Sequence, residues 1–231
     1  VLGSGSPAGV PPPARGRGAA VPTTPNNRRR SCSLLVEKGG GAGLTRVLID
    51  TSPDLREQLI DNAVDHLDAV FLTHEHADQT HGIDDLRSVV LHQRRRIPVY
   101  LNRSTGKDIL HRFSYCFEQA PGSDYPAIVE KRSIEAGESE TIEGKGGTLS
   151  FTAFLLQHGS IPALGYRIGN AAYTSDLNDI PEASWDALKN LELWIVDALR
   201  YSGHPSHFSV SDAALEGIRA RTANGERDLP E

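Results

Sequence analysis

The stretch THEHADQTHG, residues 73–82, directly follows an apolar run at residues 69–72. The run predicts a buried strand, and His74 and His76 alternate at its end, so that both imidazoles lie on one side of the chain. Asp78 follows where the chain turns into a helix, and Gly82 lets the next backbone segment pack closely. Two neutral imidazoles and a carboxylate are suitable ligands for zinc, manganese or iron. The stretch therefore predicts a metal site, and an exposed polar loop is the alternative.

Strand-like and helix-like segments surround this stretch on both sides. Two strand-rich halves, each finished by helices, predict two sheets packed face to face with helices outside. The first helix is expected to have Ser52 as its N-cap and Pro53 at its first position. Gly- and Pro-rich residues 3–27 predict a long loop after a short first strand. The predicted strands are 31–38, 44–52, 68–73, 97–102, 127–132, 148–157, 163–168, 171–175 and 191–198, and the predicted helices are 52–64, 79–93, 105–117, 182–190 and 210–220.

The composition is that of an ordinary soluble protein, for which the cytoplasm is the default location. The net charge of −6 over 231 residues argues against general nucleic-acid binding, although arginine triplets at 28–30 and 94–96 could meet phosphate locally. No apolar run approaches the roughly 18 to 20 residues that a membrane span requires. With only Cys32 and Cys116, neither a disulfide framework nor a cysteine zinc site is indicated. Because the chain begins at Val1 and contains no methionine, we expect its natural start to lie upstream.

The series of motifs along the chain resembles that of the metallo-β-lactamase superfamily. THEHADQTHG matches the His-x-His-x-Asp-His-x-x-Gly signature of that family at all but one position. LGSGSPAGVP, LIDTSPDLREQL, HGIDDLR and LRYSGHPSHFS resemble the PhnP-like branch, typified by phosphoribosyl 1,2-cyclic phosphate phosphodiesterase. The resemblance implies an α/β fold, a four-layer αββα sandwich of two mixed sheets with helices on the outer faces. It implies one such domain over residues 1–231, and we expect that domain to be incomplete at its N-terminus, with an incomplete C-terminus left open.

The resemblance also implies two divalent metal ions, zinc or manganese, between the two sheets. It assigns His74, His76 and His158 to the first ion, Asp78 to the second, and Asp176 as the bridge between them. Metals about 3.5–4 Å apart can together hold a phosphate and lower the pKa of a bridging water toward neutrality. A metal-bound hydroxide is then the expected nucleophile.

The resemblance places two histidines of HPSHFS beside the substrate. His207 matches a histidine at the substrate phosphate, where it stabilises charge or protonates the leaving group. His204 is a neighbouring candidate for substrate binding with a weaker match. For both, an ordinary loop residue before a helix is the alternative.

Two departures from the family pattern concern the second metal. Gln79 stands where the family has a histidine ligand, and an amide oxygen is a weaker donor that suits manganese or magnesium better than zinc. His81 lies about 200° away around a helix that begins near Asp78, so it should point away from residue 79. No histidine follows His207, whereas the family ends with one, so either this ligand is absent or the natural C-terminus is missing or altered. The second metal is expected to bind weakly or not at all.

The expected function is hydrolysis of a small cyclic ribose phosphate or nucleotide-like phosphodiester. His207, Asp78 and Asp176 are the expected catalytic residues, and a small phosphorylated molecule is the expected partner, with a homodimer left open. One alternative is a weakened or non-catalytic metal- or nucleotide-binding member of the family. Others are a nuclease like tRNase Z and a thioester or lactam hydrolase, because the metal ligands alone do not choose a substrate.

Overall fold

The computed structural model describes residues 1–6, 9–11 and 27–223. Contacts divide the chain into two compact units. The first unit holds Val1–Ser133 and Ile142–Leu149, and the second holds Ile134–Thr141 and the chain from Ser150 onward. Most of the expected loop at residues 3–27 lies outside the described residues. In place of the expected first strand, Gly3 and Gly5 form single bridges to residues 33 and 31.

Five strands form the sheet of the first unit, in the order β1-β2-β3-β4-β5. β1 pairs antiparallel with β2, whereas β2, β3, β4 and β5 run parallel. The carboxyl ends of β2 and β3 therefore lie at the same edge of the sheet, and residues 50–52 and 72–82 begin there. The strands are β1 (Leu34–Gly40), β2 (Gly43–Ile49), β3 (Ala69–Phe71), β4 (Ile97–Leu101) and β5 (Val129–Ser133).

Four α-helices accompany this sheet, and apolar side chains of three of them complete its core. Leu55 of the first helix, Leu86 of the third and Ile109 of the fourth join Leu48 and Val70 of the strands in one buried cluster. No helix in the described part of the chain is long and apolar enough to cross a bilayer. The helices are α1 (Leu55–Asp61), α2 (Ala77–Thr80), α3 (Leu86–Gln93) and α4 (Arg103–Phe117).

The second sheet has the order β10-β9-β8-β7-β6. β7, β8 and β9 pair antiparallel in succession, and β9 and β10 are parallel. A buried cluster that includes Phe154, Trp185 and Phe208 forms the core of the second unit. The strands are β6 (Ser139–Gly144), β7 (Gly147–His158), β8 (Ile161–Ile168), β9 (Ala171–Thr174) and β10 (Leu193–Val196), and the helix is α5 (Val210–Ala223).

The predicted fold class is confirmed by two mixed five-stranded sheets with helices. Several predicted elements differ in detail. The expected helix 79–93 consists of α2, a 3₁₀ turn at Ile83–Asp85, and α3, because the Gly82 N–H bonds to the Thr51 carbonyl instead of continuing the helix. The expected helix 182–190 is a 3₁₀ helix at Glu182–Leu188, and Pro53 lies before α1 instead of at its first position. β6 was not predicted, because Ile142 is its single buried residue and its sequence has little apolar alternation.

A buried carboxylate joins the ends of β2 and β3. Asp50 accepts the Thr73 backbone N–H at 2.8 Å and the Thr73 hydroxyl at 3.0 and 3.1 Å. Asp50 has a φ of 63°, a left-handed conformation that aspartate tolerates better than most residues. Because both residues are fully buried, these bonds fix where the chain leaves β3.

The segment that follows β2 also forms hydrogen bonds with the end of α2. Thr51 donates its N–H to the Gln79 carbonyl at 2.7 Å, and its own carbonyl accepts from Gly82 at 2.9 Å. A Cβ at Gly82 would lie 2.0 Å from the Ser52 carbonyl oxygen, which is far inside contact distance. The expected close packing at Gly82 is confirmed, and it requires glycine.

Gly82→Ala should lower the free energy of unfolding by about 1–3 kcal/mol, because the new methyl group must displace backbone. Urea denaturation measures the change. Gly41→Ala is the matched control, since nothing lies within 4 Å of a Cβ at Gly41, and its change should stay within about 0.5 kcal/mol. Equal stability of the two variants would contradict the close packing.

Asp50→Ala should lower the free energy of unfolding by about 1–3 kcal/mol, because it leaves buried Thr73 donors without an acceptor. Asp50→Asn should lose less, since the amide oxygen still accepts one bond and asparagine tolerates positive φ. Asp61→Ala removes an exposed carboxylate paired with Arg30 and should cost under about 1 kcal/mol. Thermal unfolding compares the stabilities of the three variants. A larger loss of stability in Asp61→Ala than in Asp50→Ala would refute this interpretation.

Candidate metal centre

The first unit brings His74 and His76 together at the end of β3. Their rings meet edge to face with centroids 4.7 Å apart. His74 is fully buried, whereas His76 is exposed. Arg112 of α4 holds the backbone between them by donating to the Glu75 carbonyl oxygen at 2.5 Å. The alternating spacing thus places both imidazoles on one side of the chain.

Hydrogen bonds determine which nitrogen of His74 carries its proton. The Thr73 hydroxyl has one proton, which it donates to Asp50, and its oxygen lies 3.0 Å from His74 Nδ1. His74 Nδ1 must therefore be the N–H that donates to Thr73. The lone pair of the neutral ring is then on Nε2, which is the usual arrangement in a histidine that binds a metal.

Asp78 and Gln79 lie at the start of α2, and both are buried. The Gln79 amide nitrogen donates to Asp78 Oδ2 at 3.0 Å. The reverse amide orientation would place an oxygen against the carboxylate, so the nitrogen is the favourable partner. His81 is exposed and packs edge to face on Phe113, with centroids 5.5 Å apart. His81 and Gln79 thus occupy different environments, and the Gln79 amide is engaged with Asp78.

In the second unit, His158 ends β7 and Asp176 follows β9. His158 Nε2 lies 3.8 Å from Asp176 Oδ2, and both side chains are buried. His158 Nδ1 lies 2.6 Å from the Ser206 carbonyl oxygen, which can only accept, so this nitrogen carries the proton. His158 therefore has the same tautomer as His74, with its lone pair on Nε2 beside a carboxylate.

His207 is buried and pairs with a partly buried residue that the sequence had not identified. Its Nδ1 lies 2.7 Å from Asp197 Oδ2, and its ring contacts that of His158 with centroids 4.8 Å apart. Asp197 directly follows β10, and its N–H bonds to the Thr174 carbonyl of parallel β9. An aspartate immediately after an apolar strand was the signal for this residue, as it was for Asp50.

His204 has the opposite tautomer. Its Nδ1 accepts from the Ser206 backbone N–H at 3.3 Å, so the proton of the neutral ring is on Nε2. Partial desolvation of the ring, followed by the charges of Arg200 and His207, holds the pKa of His204 below its usual value. His204 is therefore a neutral hydrogen-bond donor near pH 7.

Three side chains of the second unit form what we call the Asp176–Asp197–His207 cluster. Each offers one ligand atom, and these atoms all lie within 4.8 Å of one another. Two carboxylates and an imidazole are donors that suit a divalent cation. The chemistry and tautomers of His74 in the first unit and of His158 in the second fit a divalent cation as well.

Comparisons with known proteins agree with this reading of the fold. A family model described as a beta-lactamase superfamily domain matches residues 45–224. The chain is similar to a crystal structure of a diphosphatase from the PhnP family, with 33% identity and a TM-score of 0.81. That match covers 95% of this chain and 80% of the other.

A curated relative is much longer than this chain. An octanoyltransferase of Porphyromonas gingivalis (strain ATCC BAA-308 / W83) is 34% identical over 214 residues, which cover 92% of this chain and 42% of that protein. The chain thus spans about two fifths of that relative.

More distant structures share the fold alone. Zinc-bound PqqB from Methylobacterium extorquens has 20% identity and a TM-score of 0.63, with 87% of this chain and 73% of that chain covered. Together, the family model over most of the chain and the PhnP-family structure show that the protein belongs to the metallo-β-lactamase superfamily as a PhnP-like member.

Proposed function

We propose that the protein is a metal-dependent hydrolase that cleaves a small phosphodiester, such as a cyclic ribose phosphate or a nucleotide-like molecule. The observation that carries the proposal is the shared state of His74 and His158. Each is buried and donates from Nδ1, so each presents the Nε2 lone pair that a cation requires. Membership of the superfamily and likeness to a PhnP-family diphosphatase support this reaction class.

The first cation is proposed to bind His74, His76, His158 and Asp176. This set combines three neutral imidazoles with one carboxylate, a composition that suits zinc or manganese. A cation in this position lowers the pKa of a water ligand and offsets negative charge on a bound phosphate. Asp50 and the Ser206 carbonyl orient His74 and His158, the first by way of Thr73.

The phosphate end of the proposed site involves His204 and His207. His204 can donate from Nε2 to a phosphate oxygen, because its Nδ1 already accepts from Ser206. His207 is held in one orientation by Asp197 and lies between His158 and His204, with ring centroids 4.8 and 5.0 Å away. These histidines extend from the proposed cation ligands to the protein surface.

Asp78 of the first unit is proposed to assist the reaction. One of its oxygens accepts from the neutral Gln79 amide, so Gln79 holds the carboxylate in place. A histidine in this position could add a second strong ligand, which the amide does not replace. Asp78 with Gln79 is therefore a weaker cation site than the family pattern would supply.

Hydrolysis of an acyl thioester is a second candidate, which the name of the Porphyromonas gingivalis relative favours. That relative is called an octanoyltransferase, and octanoyl transfer is acyl chemistry. This chain corresponds to only 42% of it, so the name alone does not assign the activity to the matched part. The PhnP-family likeness, which covers 80% of a single structure, favours the phosphodiester.

His76→Ala and Asp176→Ala should each lower hydrolysis of bis(p-nitrophenyl) phosphate by at least about 100-fold in manganese-loaded protein, because each removes a proposed cation ligand. Nitrophenolate release measures the rate. His92→Ala and Asp179→Ala remove exposed residues of the same types and should keep the parent rate. Parent-like rates in both ligand variants would remove the assignment.

Substrate preference should separate the two candidates. The same metal-loaded protein is assayed on an aryl phosphodiester, an octanoyl thioester and a lactam at equal concentrations. We expect kcat/KM to be highest for the phosphodiester, and chelation should abolish that activity. A thioester rate above the phosphodiester rate, lost in His76→Ala, would favour the acyl substrate.

A further inference from the structure

We propose that Tyr201 stacks on the base of a nucleotide-like substrate, so that the protein prefers a nucleotide over a ribose phosphate that lacks a base. The inference narrows the substrate class of the proposed hydrolase, and it rests on that function for the reaction. It does not rest on that function for binding, which is argued from residues of the second unit alone.

Tyr201, His204 and His207 recur at every third residue and pass from the surface to the interior. His207 is buried, His204 is half-buried, and Tyr201 is 89% exposed. The rings of His204 and His207 meet edge to face with centroids 5.0 Å apart, and the ring of His158 follows further in. A nucleotide whose phosphate is held by the two histidines has its base on the outer side of this row, where Tyr201 lies.

Tyr201 is within reach of such a base. Its Cα lies at most about 11 Å from that of His204, because consecutive Cα atoms are about 3.8 Å apart. Gly203 stands between the two residues, and apart from its chain neighbours nothing lies within 4 Å of a Cβ built on it. Open space therefore borders the loop between Tyr201 and His204, and a flat ring can enter it.

Hydrogen bonds hold the loop at residues 201–206 in one conformation. At its base, the Val210 N–H donates to the Arg200 carbonyl at 3.0 Å. Within the loop, the Arg200 guanidinium donates to the Ser202 carbonyl at 3.0 Å and to the Gly203 carbonyl. A loop that is ordered before binding loses less conformational entropy when a ligand docks on it.

The exposure of Tyr201 leaves its ring available to a ligand. Stacking requires an uncovered aromatic face and accepts any base, because every base has a π face. Tyr125 is the next most exposed large side chain of the described residues, at 68%, and its ring centroid lies 5.5 Å from the Arg87 guanidinium. Tyr125 belongs to the first unit and therefore serves as the control for an exposed tyrosine outside the loop.

Equilibrium binding of adenosine monophosphate and of ribose 5-phosphate to the whole manganese-loaded protein tests the inference. Each ligand carries one phosphate on a ribose, so the adenine base is the difference between them. Isothermal titration should show that adenosine monophosphate binds at least about fivefold more tightly, because stacking adds to the phosphate contacts.

Tyr201→Ala should weaken binding of adenosine monophosphate by about 5- to 100-fold, the range for loss of one stacked base, and leave ribose 5-phosphate unchanged. Tyr201→Phe should keep the parent affinity for adenosine monophosphate, since it retains the ring and removes the hydroxyl. Tyr125→Ala should change the affinity for neither ligand. Thermal unfolding checks that each variant is folded.

Parent-like affinity for adenosine monophosphate in Tyr201→Ala overturns the inference, as does a parent that binds both ligands equally. Loss of affinity in Tyr201→Phe contradicts stacking, because it assigns the contact to the hydroxyl. Hydrolysis of bis(p-nitrophenyl) phosphate is assayed separately. Binding that depends on Tyr201 without turnover would refute the proposed function and leave the base site standing, whereas turnover without a preference for adenosine monophosphate would refute the base site alone.

Discussion

The buried carboxylate of Asp50 is the constraint on which the first half of the site depends. It accepts both donors of Thr73, so that the chain leaves two neighbouring parallel strands in one fixed arrangement. The bond to the Thr73 hydroxyl also decides that His74 donates from Nδ1. A contact that stabilises the fold therefore sets the state of a proposed metal ligand. Buried charge of this kind is retained where its hydrogen bonds are satisfied.

The second unit repeats this arrangement with different partners. His158, Asp176 and Asp197 all come at or just after strand ends, and β9 and β10 are parallel, so the last two start from the same edge. The Ser206 carbonyl and the Asp197 carboxylate set the tautomers of His158 and His207. The rings of His158 and His207 are thus each oriented by a hydrogen bond at Nδ1, and for the proposed ligand His158 this reduces the rearrangement that cation binding requires.

The sequence predicted the features that depend on local pattern. The alternation of His74 and His76 after an apolar run and the order of the main strands are properties of a single segment, and the structure contains both. Asp50 and Asp197 were missed because their partners are distant in sequence and are recognisable only once the strands are paired. β6 was missed because its sequence lacks apolar alternation. The break between α2 and α3 was missed because it depends on a hydrogen bond from the Gly82 N–H to the Thr51 carbonyl.

Gln79 was the feature that the sequence marked as unusual, and in the structure its amide is a partner of Asp78. Anomalous X-ray scattering at the manganese edge, from crystals grown with Mn²⁺ and inorganic phosphate, tests the proposed metal centre most directly. We expect a strong peak bound by His74, His76 and His158. Crystals with no manganese at the three histidines would contradict the proposed centre.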